Sequence, residues 1–318
     1  MPRCRAALLG LALLAAACGG SSDAAVEVIV PPLVSTTPVL PVIDTGMKTR
    51  LQAVLAAGRA RGNQEGVFAK IGDSNSSVPG FLLAVGCGDI VYGRWESLRP
   101  IVERWSATPV PHGWELEGCD VSNSFTRVGS ANFPGWRTSD LLRGHRPRPP
   151  ECQPPDDLAV RCELMQVKPS VALVMIGTND MLLDDGGTID PSGLEHFRPN
   201  LRRLIREIVD AGVIPVLSTL PPRRHPPISE PLPPVWNEAI IEVAAEEQVP
   251  LWNYWRDLQD KPQFGMSYDW LHPSVAPTGG GDLRDRAMDW GFNVRNLGAL
   301  RVLEKVGRIV LDGGPPDT

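Results

Sequence analysis

Residues 171–180 read Val-Ala-Leu-Val-Met-Ile-Gly-Thr-Asn-Asp, an apolar run of six residues that ends at a glycine and three polar residues. Short apolar runs bounded by turn residues are typical of strands that are buried on both faces of a parallel sheet. Comparable runs occupy residues 67–71, 125–128, 213–217 and 250–254. The sequence therefore predicts about five buried strands.

Helical patterns separate these runs. Between the third and fourth runs, apolar residues recur at spacings of three and four, which predicts one apolar stripe on a helix that ends at Gly212. These residues are Phe197, Leu201, Leu204, Ile205, Ile208 and Val209. Because strands that alternate with helices imply parallel strands joined by right-handed crossovers, we expect an α/β fold, a three-layer α/β/α sandwich of about five parallel strands.

The composition is that of a soluble globular protein of 318 residues, with 42% hydrophobic and 21% charged residues. The formal net charge is −6, and acidic and basic residues are interleaved along the chain, so no basic face is available for a phosphate backbone. Nucleic acid is therefore not an expected partner. No coiled-coil pattern or internal repeat occurs, and a monomer is the expected state.

The N-terminus has the features of an export signal. Arg3 and Arg5 precede an apolar run at residues 6–17 that is too short to span a bilayer as a helix. The segment 1–18 ends in Leu-Ala-Ala-Ala-Cys, which is similar to the lipobox of bacterial lipoproteins, in which a diacylglycerol is attached to the cysteine, here Cys18. The alanines also suit ordinary signal peptidase. Export is therefore predicted, either with a lipid anchor that holds the protein at a membrane or as simple secretion.

The remaining chain divides into three predicted parts. Residues 19–46 are rich in Ser, Thr, Pro and Val without helical or strand periodicity, which favours an extended linker. We expect one domain at residues 47–312, followed by a tail at residues 313–318.

Four cysteines remain in this exported part of the chain: Cys87, Cys119, Cys152 and Cys162. Exported compartments permit disulfides, and four cysteines allow three pairings. The short loop between Cys152 and Cys162 favours that pair, with Cys87 and Cys119 as the remainder. A zinc site is disfavoured because no Cys-x-x-Cys or close Cys/His cluster occurs.

Two polar motifs follow predicted strands. Gly-Asp-Ser at residues 72–74 comes directly after the first strand, and Gly-Thr-Asn-Asp at residues 177–180 comes directly after the third. Ligands bind beyond the carboxyl ends of the strands in an open parallel sheet, so both motifs are expected at one edge. Each alone is weak evidence, since an Asp-Ser pair is usually an N-cap and a turn asparagine usually bonds its own backbone.

A third motif, Asp-Trp-Leu-His-Pro at residues 269–273, follows the fifth predicted strand. A serine hydroxyl becomes a nucleophile beside a base, and an imidazole base needs a carboxylate that fixes its tautomer and stabilises its charged form. A spacing of three residues lets one loop supply both groups. The sequence therefore predicts Ser74 as nucleophile, His272 as base and Asp269 as the orienting carboxylate.

In this order the three motifs resemble blocks I, III and V of the SGNH (GDSL-like) hydrolase superfamily, and the resemblance extends from about residue 67 to about residue 306. It implies a flavodoxin-like sandwich and a serine esterase without metal or cofactor. It also implies that the Ser74 N–H and the Asn179 side chain stabilise the oxyanion. The remaining family block is a glycine after the second strand. Gly135 is preferred over Gly129 because it precedes Thr-Ser-Asp at residues 138–140, as a family glycine tends to do.

Other classes of protein fit the sequence less well, and several functions of the same fold remain as alternatives. No Gly-x-Ser-x-Gly elbow of an α/β-hydrolase occurs, and the clustered aspartates match no EF-hand spacing. The expected partner is a small-molecule or glycan ester, and O-acetyl groups on carbohydrate are a candidate because nine tryptophans could include an aromatic platform. A lipase or thioesterase, an envelope O-acyltransferase and a non-catalytic glycan- or partner-binding surface lipoprotein are the alternatives.

Overall fold

Four parallel strands form the sheet in the described part of the chain, which comprises residues 28–113, 119–143, 158–181, 192–225 and 230–318 of a computed structural model. They are β1 (Gln64–Gly72), β2 (Pro169–Met175), β3 (Ile214–Ser218) and β4 (Leu251–Trp252), paired in that order. The strands predicted at 67–71, 171–176 and 213–217 are confirmed. The run at 250–254 contributes only the two residues of β4.

The strand predicted at residues 125–128 is wrong. Its backbone forms a turn instead, because the Asn123 side-chain oxygen accepts hydrogen bonds from the N–H groups of Phe125 and Thr126 at 3.0 and 3.2 Å. Local bonds of this kind compete with the ladder that a strand requires. The Ser124 hydroxyl accepts the Phe68 N–H of β1 at 3.0 Å, and the described backbone pairing of this segment with β1 is a single parallel bridge between Asn132 and Gly72. The described sheet therefore has four strands rather than about five.

Helices cover both faces of the sheet. In chain order they are α1 (Pro32–Thr36), α2 (Thr45–Ala60), α3 (Ser74–Ser77), α4 (Leu83–Gly86), α5 (Arg99–Ser106), α6 (Thr138–Leu141), α7 (Ala159–Val167), α8 (Ser192–Asp210), α9 (Leu232–Glu246), α10 (Tyr254–Asp257) and α11 (Gly291–Val306). In one layer, α11 contacts α5, and its π-helical continuation Gly307–Leu311 contacts α2. In the other layer, α8 contacts both α7 and α9. The three-layer α/β/α sandwich is thus confirmed.

The apolar stripe predicted before Gly212 lies on α8, where all its members except Val209 are buried. Gly212 follows the helix with a φ of +73°, a conformation that glycine adopts at little cost and that commonly ends helices. A side chain at this position would also come within 3 Å of the Gly58 backbone at the end of α2. The glycine therefore both ends α8 and permits a close approach of two segments.

The predicted extended linker is wrong for residues 30–46. Val34 on α1 is fully buried against Ile241 and Trp255, and the Asn253 side chain donates hydrogen bonds to the backbone oxygens of this segment. Further along, Ile43 is fully buried. Apolar residues spaced among prolines and threonines supply the buried side chains. Their sparse spacing has no helical or strand periodicity, so the sequence pattern did not predict this packing. The folded unit therefore begins before residue 47.

The predicted tail at residues 313–318 is also wrong, since it packs against the N-terminal segment. The Ile43 N–H donates to an Asp317 carboxylate oxygen at 2.7 Å, and the Asp317 N–H donates to the Ile43 oxygen at 2.8 Å. Lys305 pairs with the same carboxylate at 2.8 Å. Burial acts to raise the pKa of the Asp317 carboxyl, but the hydrogen bonds from Lys305 and the Ile43 N–H outweigh burial, so the pKa is lowered. The two ends of the described domain are thus joined to each other.

The predicted disulfide between Cys87 and Cys119 is present. Cys162 is also disulfide-bonded, whereas Cys152, its predicted partner, lies outside the described residues. Cys18 and the predicted signal segment lie outside them as well. None of the helices in the described ranges is both long enough and apolar enough to cross a bilayer.

Candidate active site

Ser74 is presented at the carboxyl end of β1 by a tight strand-to-helix turn. Gly72 ends β1, and a side chain there would overlap the backbone oxygen of Met175 on β2, so glycine is required. Asp73 is the N-cap of α3 and accepts the Asn75 N–H at 2.9 Å. Ser74 is the first residue of α3 and remains partly exposed. In the sequence Gly-Asp-Ser, the aspartate therefore caps α3 and the serine presents its hydroxyl at the carboxyl end of β1.

The loop after β4 holds Asp269 in a fixed position beside His272. One Asp269 carboxylate oxygen accepts three hydrogen bonds, from the Ser267 hydroxyl at 2.6 Å and from the N–H groups of Leu271 and His272, both at 2.9 Å. The other oxygen lies 2.6 Å from His272 Nδ1. Trp270 adopts a φ of +52°, which is rare for a bulky residue and belongs to this tight turn.

His272 connects this loop to the serine turn. Its Nε2 lies 2.9 Å from the Ser74 hydroxyl oxygen, across 198 residues of sequence. The structure therefore brings the three residues predicted from separate motifs into one hydrogen-bonded series. In such a series the carboxylate bond at Nδ1 favours the tautomer whose Nε2 is free to accept a proton from the hydroxyl.

Asp269 is held in its ionised form. Partial burial acts to raise the pKa of its carboxyl, but the hydrogen bonds from His272, Ser267 and Leu271 favour the charged form and outweigh burial, so the pKa lies well below its ordinary value. A permanent negative charge beside the ring stabilises the imidazolium that forms when His272 takes up a proton.

The motif after β2 connects to the segment that contains Gly135. Asn179 donates one side-chain N–H to the Trp136 backbone oxygen at 2.9 Å, and Asp180 accepts the Thr138 hydroxyl and N–H at 2.5 and 3.0 Å. Burial raises the pKa of Asp180 to about 6, although the bonds from Thr138 oppose this change. These bonds place the Gly135 segment next to Asn179.

The two candidate glycines differ in their surroundings. A side chain at Gly129 would overlap the buried carboxylate of Glu163, which also accepts the Ser130 N–H at 2.7 Å. By contrast, Gly135 has a φ of +79°, and the space where a side chain would extend is empty. Gly129 thus faces packed protein, whereas Gly135 lies beside open space.

Two buried arginines near the serine turn were not predicted from the sequence. Arg223 donates to the Thr178 backbone oxygen at 2.7 Å, and Arg295 on α11 contacts the α3 turn itself. Arg295 is buried in α11, whose sequence mixes polar and charged residues with apolar ones, so no pattern in the sequence singles this arginine out. Within the described ranges no group of three or more histidine, cysteine or carboxylate side chains could hold a metal ion.

Aromatic residues flank Asp269. Tyr268 is 96% exposed, and the Arg224 guanidinium lies 4.9 Å from the ring centre of Trp270. Of the other tryptophans, Trp136 and Trp236 are buried packing residues. Tyr268, on the 267–273 loop, is thus an accessible aromatic ring beside the site.

The site thus has a hydroxyl, an imidazole and a carboxylate in hydrogen-bonded series at the carboxyl edge of a parallel α/β sheet, which is the arrangement that serine hydrolases use. The sequence model of the GDSL-like lipase/acylhydrolase family matches residues 85–276, which include Gly135, Asn179, Asp269 and His272. The chain belongs to this family and is an ester-hydrolysing enzyme.

Several solved structures are similar to this chain. A GDSL-like lipase from Bacteroides thetaiotaomicron is 12% identical with a TM-score of 0.45, covering 80% of this chain and 98% of the lipase. The esterase EstA from Pseudoalteromonas sp. is 15% identical with a TM-score of 0.42, covering 76% and 100%. The acetylxylan esterase Axe2 from Geobacillus stearothermophilus is 16% identical with a TM-score of 0.42, covering 74% and 93%. The comparison with curated proteins gives no match.

Proposed function

We propose that this protein hydrolyses a carboxylic ester through an acyl-enzyme formed on Ser74. The observation that carries the proposal is the position of the His272 ring, with Nε2 at 2.9 Å from the Ser74 hydroxyl oxygen and Nδ1 at 2.6 Å from the Asp269 carboxylate. Both distances are ordinary hydrogen-bond lengths, so no rearrangement is needed before proton transfer.

In the first half-reaction, the Ser74 oxygen attacks the ester carbonyl carbon while its proton passes to His272 Nε2. The tetrahedral intermediate collapses as the bond to the alcohol oxygen breaks, and that oxygen takes the proton from His272. In the second half-reaction, water loses a proton to His272 and attacks the acyl-enzyme, and Ser74 regains its proton as the acid leaves. Asp269 stabilises the imidazolium in both halves.

The oxyanion of each intermediate has three proposed donors: the backbone N–H groups of Ser74 and Gly135, and the side-chain amide of Asn179. An amide nitrogen carries two N–H bonds, and only one of those on Asn179 is used by the Trp136 oxygen. The bond to Trp136 orients the amide before substrate arrives. The open space beside Gly135 supports its inclusion in the set.

Replacement of the nucleophile tests the proposal. Ser74→Ala is expected to abolish hydrolysis of a short-chain p-nitrophenyl ester and labelling by a fluorophosphonate. Ser77→Ala, a matched change on the same helical turn, is expected to retain both, since within the described residues the Ser77 hydroxyl makes a single long contact of 3.5 Å to a backbone oxygen. Full activity of Ser74→Ala, with the purified protein folded, would overturn the assignment.

For the substrate, we propose an ester on a small molecule or a glycan, with O-acetyl groups on carbohydrate as the first candidate. The exposed ring of Tyr268 beside Asp269 supports this, because exposed aromatic rings bind the apolar faces of sugars. Tyr268→Ala should raise KM for acetylated xylan or peptidoglycan without changing KM for p-nitrophenyl acetate. An equal change for both substrates would contradict a sugar-binding role.

The same panel should include butyryl and long-chain esters, together with an added alcohol or sugar acceptor. Preference for long chains would favour a lipase, and transfer to the acceptor would favour an acyltransferase that uses the same Ser74. A folded protein that is neither labelled by the fluorophosphonate nor active on any ester would favour a non-catalytic binding role.

We also propose that the protein is exported and anchored by lipid at Cys18, since the disulfide between Cys87 and Cys119 suits an oxidising compartment. Expressed in bacteria with radiolabelled palmitate, the full chain should incorporate label, and Cys18→Ser should not. Cys4→Ser is the matched control and should be labelled like the original sequence. Export without label in the original sequence would favour simple secretion.

A further inference from the structure

Arg295 on α11 lies against the single helical turn that begins with Ser74. Its side chain donates one hydrogen bond to the backbone oxygen of Asn75 and another, of 3.0 Å, to the hydroxyl of Ser76. Arg295 is only 2% exposed, and more than 200 residues separate it from these two acceptors. The guanidinium thus binds the two residues that follow the nucleophile.

Burial of this charge is costly by itself. No carboxylate is among the hydrogen-bond partners that Arg295 has in the described ranges, and its Nε has no partner there. The guanidinium carbon lies 3.8 Å from the ring centre of Phe81, which offers a cation–π contact. Burial lowers the pKa of Arg295 to about 10, which leaves it charged at neutral pH. A charge without a bonded counter-ion is unfavourable in a protein interior.

Arg127 provides the contrast within the same protein. It is similarly buried, at 7% exposure, but it forms a bidentate pair with the Glu163 carboxylate at 2.8 and 2.9 Å. Arg127 is thus neutralised by an acidic partner, whereas Arg295 is directed at a backbone oxygen and a hydroxyl. The arrangement around Arg295 therefore serves the turn rather than an ion pair.

The turn needs such a partner because α3 is only four residues long. The last carbonyl oxygens of a helix have no N–H donor within the helix, so they accept hydrogen bonds from groups outside it. Here the Val78 N–H bonds the Ser74 oxygen at 3.1 Å, Arg295 bonds the Asn75 oxygen, and the Asn132 side chain bonds the Ser76 oxygen at 2.8 Å. A cation at the C-terminal end of a helix also interacts favourably with its partial negative charge.

We propose that Arg295 is a positioning residue for catalysis, which holds the α3 turn so that the Ser74 hydroxyl stays within reach of His272 and the Ser74 N–H keeps its direction. This rests on the proposed role of Ser74 as the nucleophile. Arg295 acts through the Asn75 backbone oxygen and the Ser76 hydroxyl rather than through contact with the reacting atoms. Displacement of a reacting group by about 1 Å can lower a rate by about 10²-fold, so a fixed turn matters more for the rate than for substrate binding.

The test uses two changes at Arg295 and one at its partner. Arg295→Met removes the charge and both bonds and should lower kcat by about 10- to 100-fold, with KM within about twofold. Arg295→Lys keeps the charge and can reach one acceptor, so it should restore part of this loss. Ser76→Ala removes one bond only and should lower kcat by several-fold. The rate of fluorophosphonate labelling at Ser74 should fall in the same order.

Arg127→Lys is the matched control, because it alters a buried arginine that does not contact the turn. It should lower the unfolding temperature while kcat stays unchanged below that temperature. The proposal is overturned if folded Arg295→Lys and Ser76→Ala both have the kcat of the original sequence, or if Arg127→Lys loses kcat as much as Arg295→Lys does. Should Arg295→Met not fold, these milder variants decide the matter.

The failure of this proposal is distinguishable from failure of the function itself. If the original sequence is labelled at Ser74 and Ser74→Ala is inactive, the nucleophile stands whatever the Arg295 variants do. If Ser74→Ala remains active, both proposals are wrong, because there is then no nucleophile on α3 for Arg295 to position.

Discussion

The side-chain amide of Asn179 donates a hydrogen bond of 2.9 Å to the backbone oxygen of Trp136, which links the end of β2 to the segment after Gly135. This bond fixes the amide plane and leaves the second N–H for the oxyanion role that we propose for Asn179. An oxyanion donor acts mainly in the transition state, so its loss lowers kcat more than it changes substrate binding.

Asn179→Ala is therefore expected to lower kcat by about 10²- to 10³-fold on a p-nitrophenyl ester, with KM changed little. Asn63→Ala is the matched control, since Asn63 also donates to backbone oxygens, those of Ala211 and Gly212, but lies before β1 at the opposite edge of the sheet. Loss of kcat in both variants would show a general effect on folding rather than a role for Asn179.

Asp269→Asn should keep the loop but remove the charge beside His272. Because an amide nitrogen facing Nδ1 favours the wrong tautomer of the ring, we expect kcat to fall by about 10³- to 10⁴-fold. Ser267→Ala loses the 2.6 Å bond to the same carboxylate but keeps its charge, and should cost only several-fold. Steady-state kinetics of both variants check the expected order, and a Ser267→Ala enzyme as slow as Asp269→Asn would contradict it.

Asp180 predicts a dependence of stability on pH. Its folded pKa of about 6 is above the ordinary carboxyl value of 3.8, so between these values the folded protein binds a proton more tightly than the unfolded chain. The contribution of Asp180 to stability therefore falls as pH rises through this window. The unfolding temperature of the original sequence, minus that of Asp180→Asn, should therefore decrease from about pH 4 to about pH 7.

Thermal unfolding over that pH range measures the effect, with Asp210→Asn as the control at an exposed position on α8. The control should run parallel to the original sequence. A constant difference between Asp180→Asn and the original sequence at all pH values would mean that Asp180 does not change its protonation on folding.

The parts of this fold that the sequence predicted are those determined by local pattern. The run at residues 171–176 is apolar throughout, and β2 is buried on every residue, so pattern and structure agree. The run at 125–128 has the same apolar character in part, but the Asn123 side chain directs its backbone into a turn. Periodicity alone cannot detect a competing acceptor two or three residues upstream.

The candidate site shows the same division between local and distant features. The Asp269 and His272 pair lies within one loop, and its spacing is readable from the sequence. The Arg295 contact with Asn75 joins residues 220 positions apart and depends on how α11 packs. No motif spacing encodes such a contact, and the other polar and charged residues of α11 leave nothing in the sequence pattern that singles Arg295 out.

One pair of variants decides which of the two glycines is the third oxyanion donor. At Gly135 a side chain has room, but a φ of +79° disfavours any residue with a Cβ by about 1–2 kcal/mol, so Gly135→Ala should fold with modest loss of stability. Strain at an oxyanion donor should lower kcat by about tenfold or more.

At Gly129 a methyl group would overlap the Glu163 carboxylate, which is paired with Arg127, so Gly129→Ala should chiefly lower the unfolding temperature. Its folded fraction, titrated with fluorophosphonate, should retain kcat. Since the two substitutions add the same methyl group, their kinetics separate a donor from a packing position. A normal kcat for Gly135→Ala together with a large loss for the folded fraction of Gly129→Ala would transfer the third oxyanion donor to Gly129.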